Sequence, residues 1–153
     1  MQAMNKITPF LWFNTDAEEA ANFYLTVFPN SRKLRELRVT EAGPGPVGSL
    51  LTIDFELDGQ KVTFLNGGPA HQLSEAFSFS VACQTQEEID SYWAKLGDGG
   101  KELGCGWIKD KFGLCWQIVP RRIVEYVSNP AGMRAMMPMM KLDIATLERA
   151  AAE

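Results

Sequence analysis

Histidine and cysteine are scarce in this chain of 153 residues. There is one histidine, His71, and there are three cysteines, Cys83, Cys105 and Cys115. A metal site built from several imidazoles is therefore excluded, and the spacing of the cysteines matches no zinc-binding pattern. Because the cysteines are few and odd in number, we expect reduced thiols in a cytoplasmic protein and no disulfide scaffold.

The chain also lacks an excess of positive charge and a long hydrophobic run. Its formal net charge is -4, which argues against non-specific binding to nucleic acid or to an anionic membrane. The most apolar stretch, residues 49–55, is interrupted by polar side chains and is much shorter than a membrane span. No secretory signal pattern opens the sequence. We therefore expect neither nucleic acid nor membrane as a partner.

Two amphipathic helices are predicted from periodicity, one over 16–28 and one over 85–96. Hydrophobic residues make up 46% of the chain, which is sufficient for a folded core. In both segments apolar side chains recur at helical spacing. Each segment begins with a capping box, in which Asp16 or Thr85 is followed three residues later by a glutamate.

Alternating apolar and polar residues predict strands around these helices. Asp58-Gly59 is a preferred two-residue hairpin turn, so Asp54 is expected to lie opposite Thr63 on the paired strand. The residues between 41 and 48 are rich in glycine and proline and predict a loop. The predicted strands cover residues 7–14, 34–39, 51–57, 61–66 and 76–83.

The order of elements is repeated along the chain. Residues 85–93 match residues 16–24, which lie 69 positions earlier. Residues 113–118 match residues 59–64, which lie 54 positions earlier. A duplicated βαβββ unit is the simplest interpretation. It gives a first module over about 5–69, a second over about 74–120 and a helical extension over about 121–153. In the extension, a methionine-rich helix is predicted from Asn129-Pro130 and a last helix capped by Asp143.

Several motifs closely resemble the PhnB-like family, which is commonly labelled 3-demethylubiquinone-9 3-methyltransferase. This family belongs to the glyoxalase/bleomycin-resistance/dioxygenase, or vicinal oxygen chelate, superfamily. The resemblance implies an α+β fold in which two βαβββ modules form curved mixed sheets around a cavity, followed by C-terminal helices. It further implies a single glyoxalase-like domain over 1–153, and a homodimer. The motifs are Lys6-Ile7-Thr8-Pro9-Phe10-Leu11-Trp12-Phe13, Ala17-Glu18-Glu19-Ala20, Phe23-Tyr24, Asn66-Gly67-Gly68-Pro69, Cys105-Gly106-Trp107, Asp110-Lys111-Phe112-Gly113, Trp116-Gln117-Ile118-Val119-Pro120 and Lys141-Leu142-Asp143-Ile144.

The resemblance also implies where a metal would be bound. The metalloenzymes of the superfamily take ligands from the first and last strand of each module. The corresponding positions here are Pro9 and Thr63 in the first module, and Ser78 (Ala76 if the register slips) and Gln117 in the second. These residues supply neither a carboxylate nor an imidazole, so no metal and no other cofactor is predicted.

The methyltransferase label is interpreted as a misannotation carried by the family. A nucleotide-type methyl donor usually sits on a glycine-rich turn between a strand and a helix. The glycine-rich segments 43–46 and 97–100 lack that context.

A polar cavity wall is predicted from the hairpin pairing. The side chains expected to face away from the helices in the second module are Ile108, Asp110 and Gln117, while Trp107, Trp116 and Ile118 are expected to face the helix. The candidate ligand-binding residues are Pro9, Asp54, Thr63, Ser78, Ile108, Asp110 and Gln117.

Two functions remain open at this point. One is a small-molecule-binding or resistance-type protein without the metal site. The other is an enzyme on the same fold, with lyase, isomerase or dioxygenase chemistry. Such an enzyme would act through a metal held by unexpected ligands, or through acid/base work of Asp54 and Asp110. The sequence assigns no catalytic residue.

Overall fold

The computed structural model describes residues 5–153, which divide between Leu73 and Ser74 into two compact units. Each unit contains one four-stranded mixed sheet, and the sheets formed by the described residues are open. The α+β class expected from the sequence is confirmed.

The first unit has the order strand, helix and three strands. The elements are β1 (Phe10–Phe13), α1 (Ala17–Val27), β2 (Arg32–Arg38), β3 (Leu50–Leu57) and β4 (Gln60–Asn66). Strand β1 runs parallel to β4, while β3 is antiparallel to both β4 and β2, giving the strand order β1-β4-β3-β2.

Helix α1 packs on one face of this sheet, as the pattern of alternation predicts. Ile53, Phe55, Val62 and Phe64 are fully buried, and the Tyr24 ring of α1 meets Phe64 edge-on at a centroid distance of 5.8 Å. Alternation along the strands turns the intervening residues to the opposite face, which is called the open face below.

The second unit repeats this order and adds three helices. The elements are β5 (Ser78–Cys83), α2 (Gln86–Gly97), β6 (Lys101–Gly104), β7 (Trp107–Lys109), β8 (Cys115–Pro120), α3 (Ile123–Ser128), α4 (Pro130–Met136) and α5 (Ile144–Ala151). The strand order of the sheet, β5-β8-β7-β6, corresponds strand for strand to that of the first unit.

The two predicted capping boxes differ in the structure. At α2 the Thr85 hydroxyl accepts from the Glu88 N–H, and the Glu88 carboxylate accepts from the Gln84 N–H. The prediction for Asp16 is wrong, since in the described chain its side chain makes no capping bond. Instead Asn66 Oδ1, from β4, accepts from the Ala17 N–H at 2.8 Å. A side chain distant in sequence therefore satisfies one of the donors that a local cap would satisfy.

The C-terminal helices enclose a small core of their own. Asn129 caps α4 and Asp143 caps α5, as predicted. Val119, Tyr126, Leu142 and Leu147 are buried together, and Met136 and Met139 pack against them. Within residues 5–153, no helix has both the length and the apolar character needed to cross a bilayer.

Candidate functional site

The open face of the first sheet brings together three of the predicted residues. Asp54 lies opposite Thr63, and the Thr63 hydroxyl donates to Asp54 Oδ1 at 2.8 Å. The Thr63 N–H donates to the Pro9 carbonyl at 2.9 Å. Arg35, on the neighbouring strand β2, forms an ion pair with Asp54 at 3.3 Å. The result is a compact polar group in which every predicted residue has a partner.

A neutral pair occupies the corresponding place in the second sheet. Gln117 Nε2 donates to Ser78 Oγ at 3.0 Å, and both side chains are partly buried. Ser78, rather than Ala76, therefore stands beside Gln117. In register, Gln117 also lies between Ser80 on β5 and Trp107 on β7.

The predicted orientation of Ile108 is wrong. Strand β7 pairs Ile108 with Trp116 and Trp107 with Gln117. Ile108 is fully buried, and its Cδ1 lies close to Gly97 of helix α2. Residues 110–114 form a turn of five residues, whereas the expected pairing assumed a turn of two. The odd number of turn residues shifts the pairing by one position from the expected one. A shift of one residue exchanges the two faces of a strand, so Trp107 is the side chain on the open face.

Asp110 is likewise not part of a polar cavity wall. It lies in the β7–β8 turn and is only 4% exposed. One carboxylate oxygen accepts from the N–H groups of Phe112 and Leu114, and the other accepts from Trp116 Nε1 at 2.8 Å. These bonds hold the turn together, which leaves Asp110 poorly suited to acid/base work.

The residues at the superfamily's metal positions do not fit a divalent cation. Thr63 and Gln117 offer a hydroxyl and an amide, and each donates its hydrogen bond to a neighbour. Among residues 5–153, no group of three or more His, Cys, Asp or Glu side chains lies close enough to hold a metal ion. A hard cation needs several carboxylate or carbonyl oxygens, and zinc needs imidazoles, thiolates or carboxylates.

A cavity of about 500 Å³ lies within the first unit, next to its open face. It is lined by the ends of β1, β3 and β4 and by the Pro44–Pro46 turn, and it is partly open to solvent. The described residues around it include none of the predicted candidates. They are Trp12, Asn14, Thr15, Val39, Pro44, Gly45, Pro46, Ser49, Leu50, Leu51, Leu65, Asn66, Gly67 and Gly68. Sequence reasoning missed this cavity because its wall is assembled from five separate stretches of the chain.

The indole of Trp12 is held firmly in the cavity wall. Its Nε1 donates to the Gly68 carbonyl at 2.9 Å, and the His71 ring meets it edge-on at a centroid distance of 4.8 Å. A Cβ atom at Gly67 would lie 2.4 Å from the indole ring, so only glycine permits this approach. The sequence signal for this contact is the Gly67-Gly68 pair directly after β4.

Comparison with known proteins settles the family. Residues 5–119 match the family described as 3-demethylubiquinone-9 3-methyltransferase. The chain belongs to this family. Its sequence is 36% identical to a PhnB protein from Bacillus cereus, described as a 3-demethylubiquinone-9 3-methyltransferase. The two structures superpose with a TM-score of 0.68 over 76% of this chain and 98% of that one. No curated protein matches.

More distant structures share the fold alone. A protein from Pseudomonas aeruginosa is 19% identical, with a TM-score of 0.62 over 76% of this chain and 97% of that one. The fosfomycin resistance protein FosX from Mesorhizobium loti is 13% identical, with a TM-score of 0.53 over 78% and 93% of the two chains. The resemblance to the PhnB-like family and to the glyoxalase superfamily fold is therefore confirmed.

Proposed function

We propose that this protein binds a small organic molecule through neutral hydrogen-bonding groups, without the divalent cation of the superfamily's metalloenzymes. The observation that carries the proposal is the Gln117–Ser78 pair at two of the superfamily's ligand positions. The pair keeps polar atoms where a metal would be held and supplies no negative charge.

The surroundings of Gln117 suit an organic ligand. An amide has two N–H donors and one carbonyl acceptor, and the bond to Ser78 uses one of these three. The Ser80 hydroxyl and the partly buried Trp107 indole lie beside it in register. Such a site combines an apolar surface with a few directional polar groups, as small-molecule sites usually do.

The topology disfavours the methyl-transfer chemistry in the family's name. The glycine-rich segment 43–46 connects β2 to β3, and the segment 97–100 connects α2 to β6. Neither leads from a strand into the N-terminus of a helix, which is the arrangement that binds a nucleotide-type methyl donor. The enzyme alternative based on Asp54 and Asp110 is also disfavoured, because the Asp110 carboxylate is committed to its turn.

The proposal includes a homodimer in the cytoplasm. Leu34 and Leu37, on the edge strand β2 of the first sheet, are 40% and 52% exposed and are suited to contact with a second copy. The three cysteines are free thiols, in keeping with a reducing compartment. Light scattering at micromolar concentration should give twice the mass of one chain, and the mass of one chain would contradict the dimer.

A thermal-shift screen with metabolites, quinone precursors and phosphonates tests the binding function. Compounds that bind the native state raise its melting temperature. For the best compound, Gln117→Ala should weaken binding by about tenfold, which corresponds to the loss of one or two hydrogen bonds. Gln117→Glu should change the affinity or create weak metal binding.

Gln60→Ala is the matched control, since Gln60 is an exposed amide in the first hairpin. It should leave binding unchanged. Unchanged binding in both folded Gln117 variants would overturn the proposed site. Stoichiometric zinc, nickel, manganese or iron in the purified protein would overturn the metal-independent function.

A further inference from the structure

The cavity beside Trp12 has features that select a particular class of ligand, and they are independent of Gln117. Its volume of about 500 Å³ falls in the range of sites for small organic molecules. Pro9, Asp54, Thr63, Ser78 and Gln117 are not among the described residues of its wall. The cavity is therefore a second candidate site, distinct from the one in the proposed function.

Charge is the first selective feature. None of the described residues that line the cavity is an aspartate, glutamate, lysine, arginine or histidine. A charged ligand that entered would lose part of its hydration without gaining a counter-charge. The wall thus favours uncharged molecules.

The polar atoms of the wall are the second feature. The Asn66 amide accepts from the Ala17 N–H and donates to the Leu50 carbonyl. The Ser49 hydroxyl donates to the Pro46 carbonyl. These two groups are engaged in holding the wall, and Asn14 and Thr15 add two short polar side chains to it. The larger part of the lining comes from the side chains of Trp12, Val39, Pro44, Pro46, Leu50, Leu51 and Leu65.

Shape is the third feature. Gly68 and His71 fix the Trp12 indole, and Gly67 lies against it. A wall that contains a rigid indole and two prolines presents flat, inflexible surfaces. Aromatic rings pack on such surfaces in stacked or edge-to-face geometry, with a gain beyond simple burial.

The Pro44–Pro46 turn is fixed at its base. The Val39 N–H donates to the Ser49 carbonyl, and the Gly48 N–H donates to the Val39 carbonyl, both at 2.8 Å. These two bonds continue the β2–β3 pairing beyond the strand ends. The base of the turn is thereby fixed to β2 and β3, and the turn lines the cavity together with the ends of β1 and β4.

From these features we infer that the Trp12 cavity is a binding site for a flat, uncharged aromatic or heteroaromatic molecule. The ring of the ligand lies against the Trp12 indole, and the two prolines and Leu65 cover it. The cavity selects its ligand by shape and by exclusion of charge, with few hydrogen bonds to it.

Two dyes with one aromatic skeleton test this inference by fluorescence titration. N-phenylnaphthylamine is uncharged, and anilinonaphthalene sulfonate carries the same rings and a negative charge. The uncharged dye should bind saturably, one molecule per chain, and at least about tenfold more tightly than the sulfonate. Equal or stronger binding of the sulfonate, or no saturable binding of the uncharged dye, would overturn the inference.

Substitutions then locate the bound dye. Trp12→Leu removes the flat wall, and Leu65→Trp fills the cavity from β4; each should weaken binding of the uncharged dye by about tenfold or more. Leu65→Trp retains the contacts of Trp12, so it remains informative if Trp12→Leu lowers stability.

Phe10→Ser and Val47→Ser are the controls. Phe10 is exposed on the same strand and face as Trp12, and Val47 is exposed next to the Pro44–Pro46 turn, but neither lines the cavity. Both variants should bind the dye like the parent protein. If they lose binding while Leu65→Trp retains it, the dye lies on the outer surface and the inference is wrong. Gln117 lies in the other unit, so this result does not bear on the proposed function.

Discussion

The two sheets share one strand order but end their central hairpins differently. In the first unit the β3–β4 turn is Asp58-Gly59, and both residues have positive φ angles, 48° and 82°. In the second unit the β7–β8 turn runs over 110–114 and is organised around the Asp110 carboxylate. Both turns contain left-handed residues, since Gly113 has a φ of 88°, and the second turn adds the hydrogen bonds of the buried Asp110 side chain. The comparison shows that a repeat can conserve topology while changing which side chains reach the open face.

The polar pairs near the centres of the two open faces differ in charge as well. The first sheet carries ion pairs, Arg35 with Asp54 and Arg32 with Glu56. The second carries the neutral Gln117–Ser78 pair at its centre. An exposed ion pair contributes little to stability, so the energetic differences between the units should come from their turns and cores.

Removal of the Asp110 carboxylate should produce the largest effect. Asp110→Ala leaves the buried donors of Phe112, Leu114 and Trp116 without their acceptor, and we expect a loss of about 4 kcal/mol in the free energy of unfolding. Asp58→Ala, in the turn of the first unit, should cost only about 1 kcal/mol, because it disturbs a left-handed backbone position. Urea denaturation measures both. Equal losses would show that the two turns are stabilised in the same way.

Ile108 and Trp107 test the register of the β7–β8 hairpin. Ile108→Ala should cost about 3 kcal/mol, since the side chain is fully buried against α2. Trp107→Ala should cost about half as much, because Trp107 is only partly buried on the open face. Denaturation curves of the two variants give the comparison. A larger loss for Trp107→Ala than for Ile108→Ala would support the register expected from a turn with an even number of residues.

The thiols distinguish the two units, because Cys83, Cys105 and Cys115 all lie in the second. In the native protein an aromatic disulfide reagent should modify one thiol, that of the partly buried Cys105, and the other two should react only on unfolding. Burial raises the pKa of the Cys83 thiol to about 11 and also raises that of Cys115. Rapid modification of all three thiols in native buffer would contradict this arrangement.

The raised pKa of Cys83 also predicts a dependence of stability on pH. The folded state keeps the proton above pH 9.0, the ordinary thiol pKa, whereas the unfolded state loses it. The stabilising contribution is therefore complete below that pH and is lost as the pH rises toward about 11. The free energy of unfolding should decrease over this range, and Cys83→Ala should make the decrease smaller. If the free energy of unfolding of Cys83→Ala decreases by the same amount over this range, other titrating groups cause the decrease.

The smallest effect is expected at Arg35. Its side chain is 80% exposed in the ion pair with Asp54, so Arg35→Ala should change the free energy of unfolding by less than about 0.5 kcal/mol. Ser78→Ala, which removes the partner of the partly buried Gln117 amide, should cost about 1 kcal/mol. Parallel denaturation curves would show this order. A larger loss for Arg35→Ala would mean that the ion pair contributes more to stability than the neutral pair.

Local patterns predicted most of the elements and part of the candidate site. The helices near 16–28 and 85–96, the Asp58-Gly59 hairpin, and the caps at Asn129 and Asp143 all rest on interactions within a few residues. Helix α3 was not predicted, because it has six residues and no clear periodic face. Ser78 and Gln117 were predicted as site positions through the repeat and the family resemblance. Their hydrogen bond joins side chains 39 residues apart and is seen only in the structure.

What the sequence by itself determined is the order of elements in the first unit, the resemblance to the family and the helix-facing core of the first sheet. Periodicity, turn residues and apolar alternation are local properties, so they can be read without knowing which segments meet. Only the tertiary structure decided that Asn66 takes the place of the Asp16 cap, that Trp107 replaces Ile108 on the open face, and that a cavity forms beside Trp12. Each of these depends on the packing of distant segments, where a shift of a single residue reverses a face.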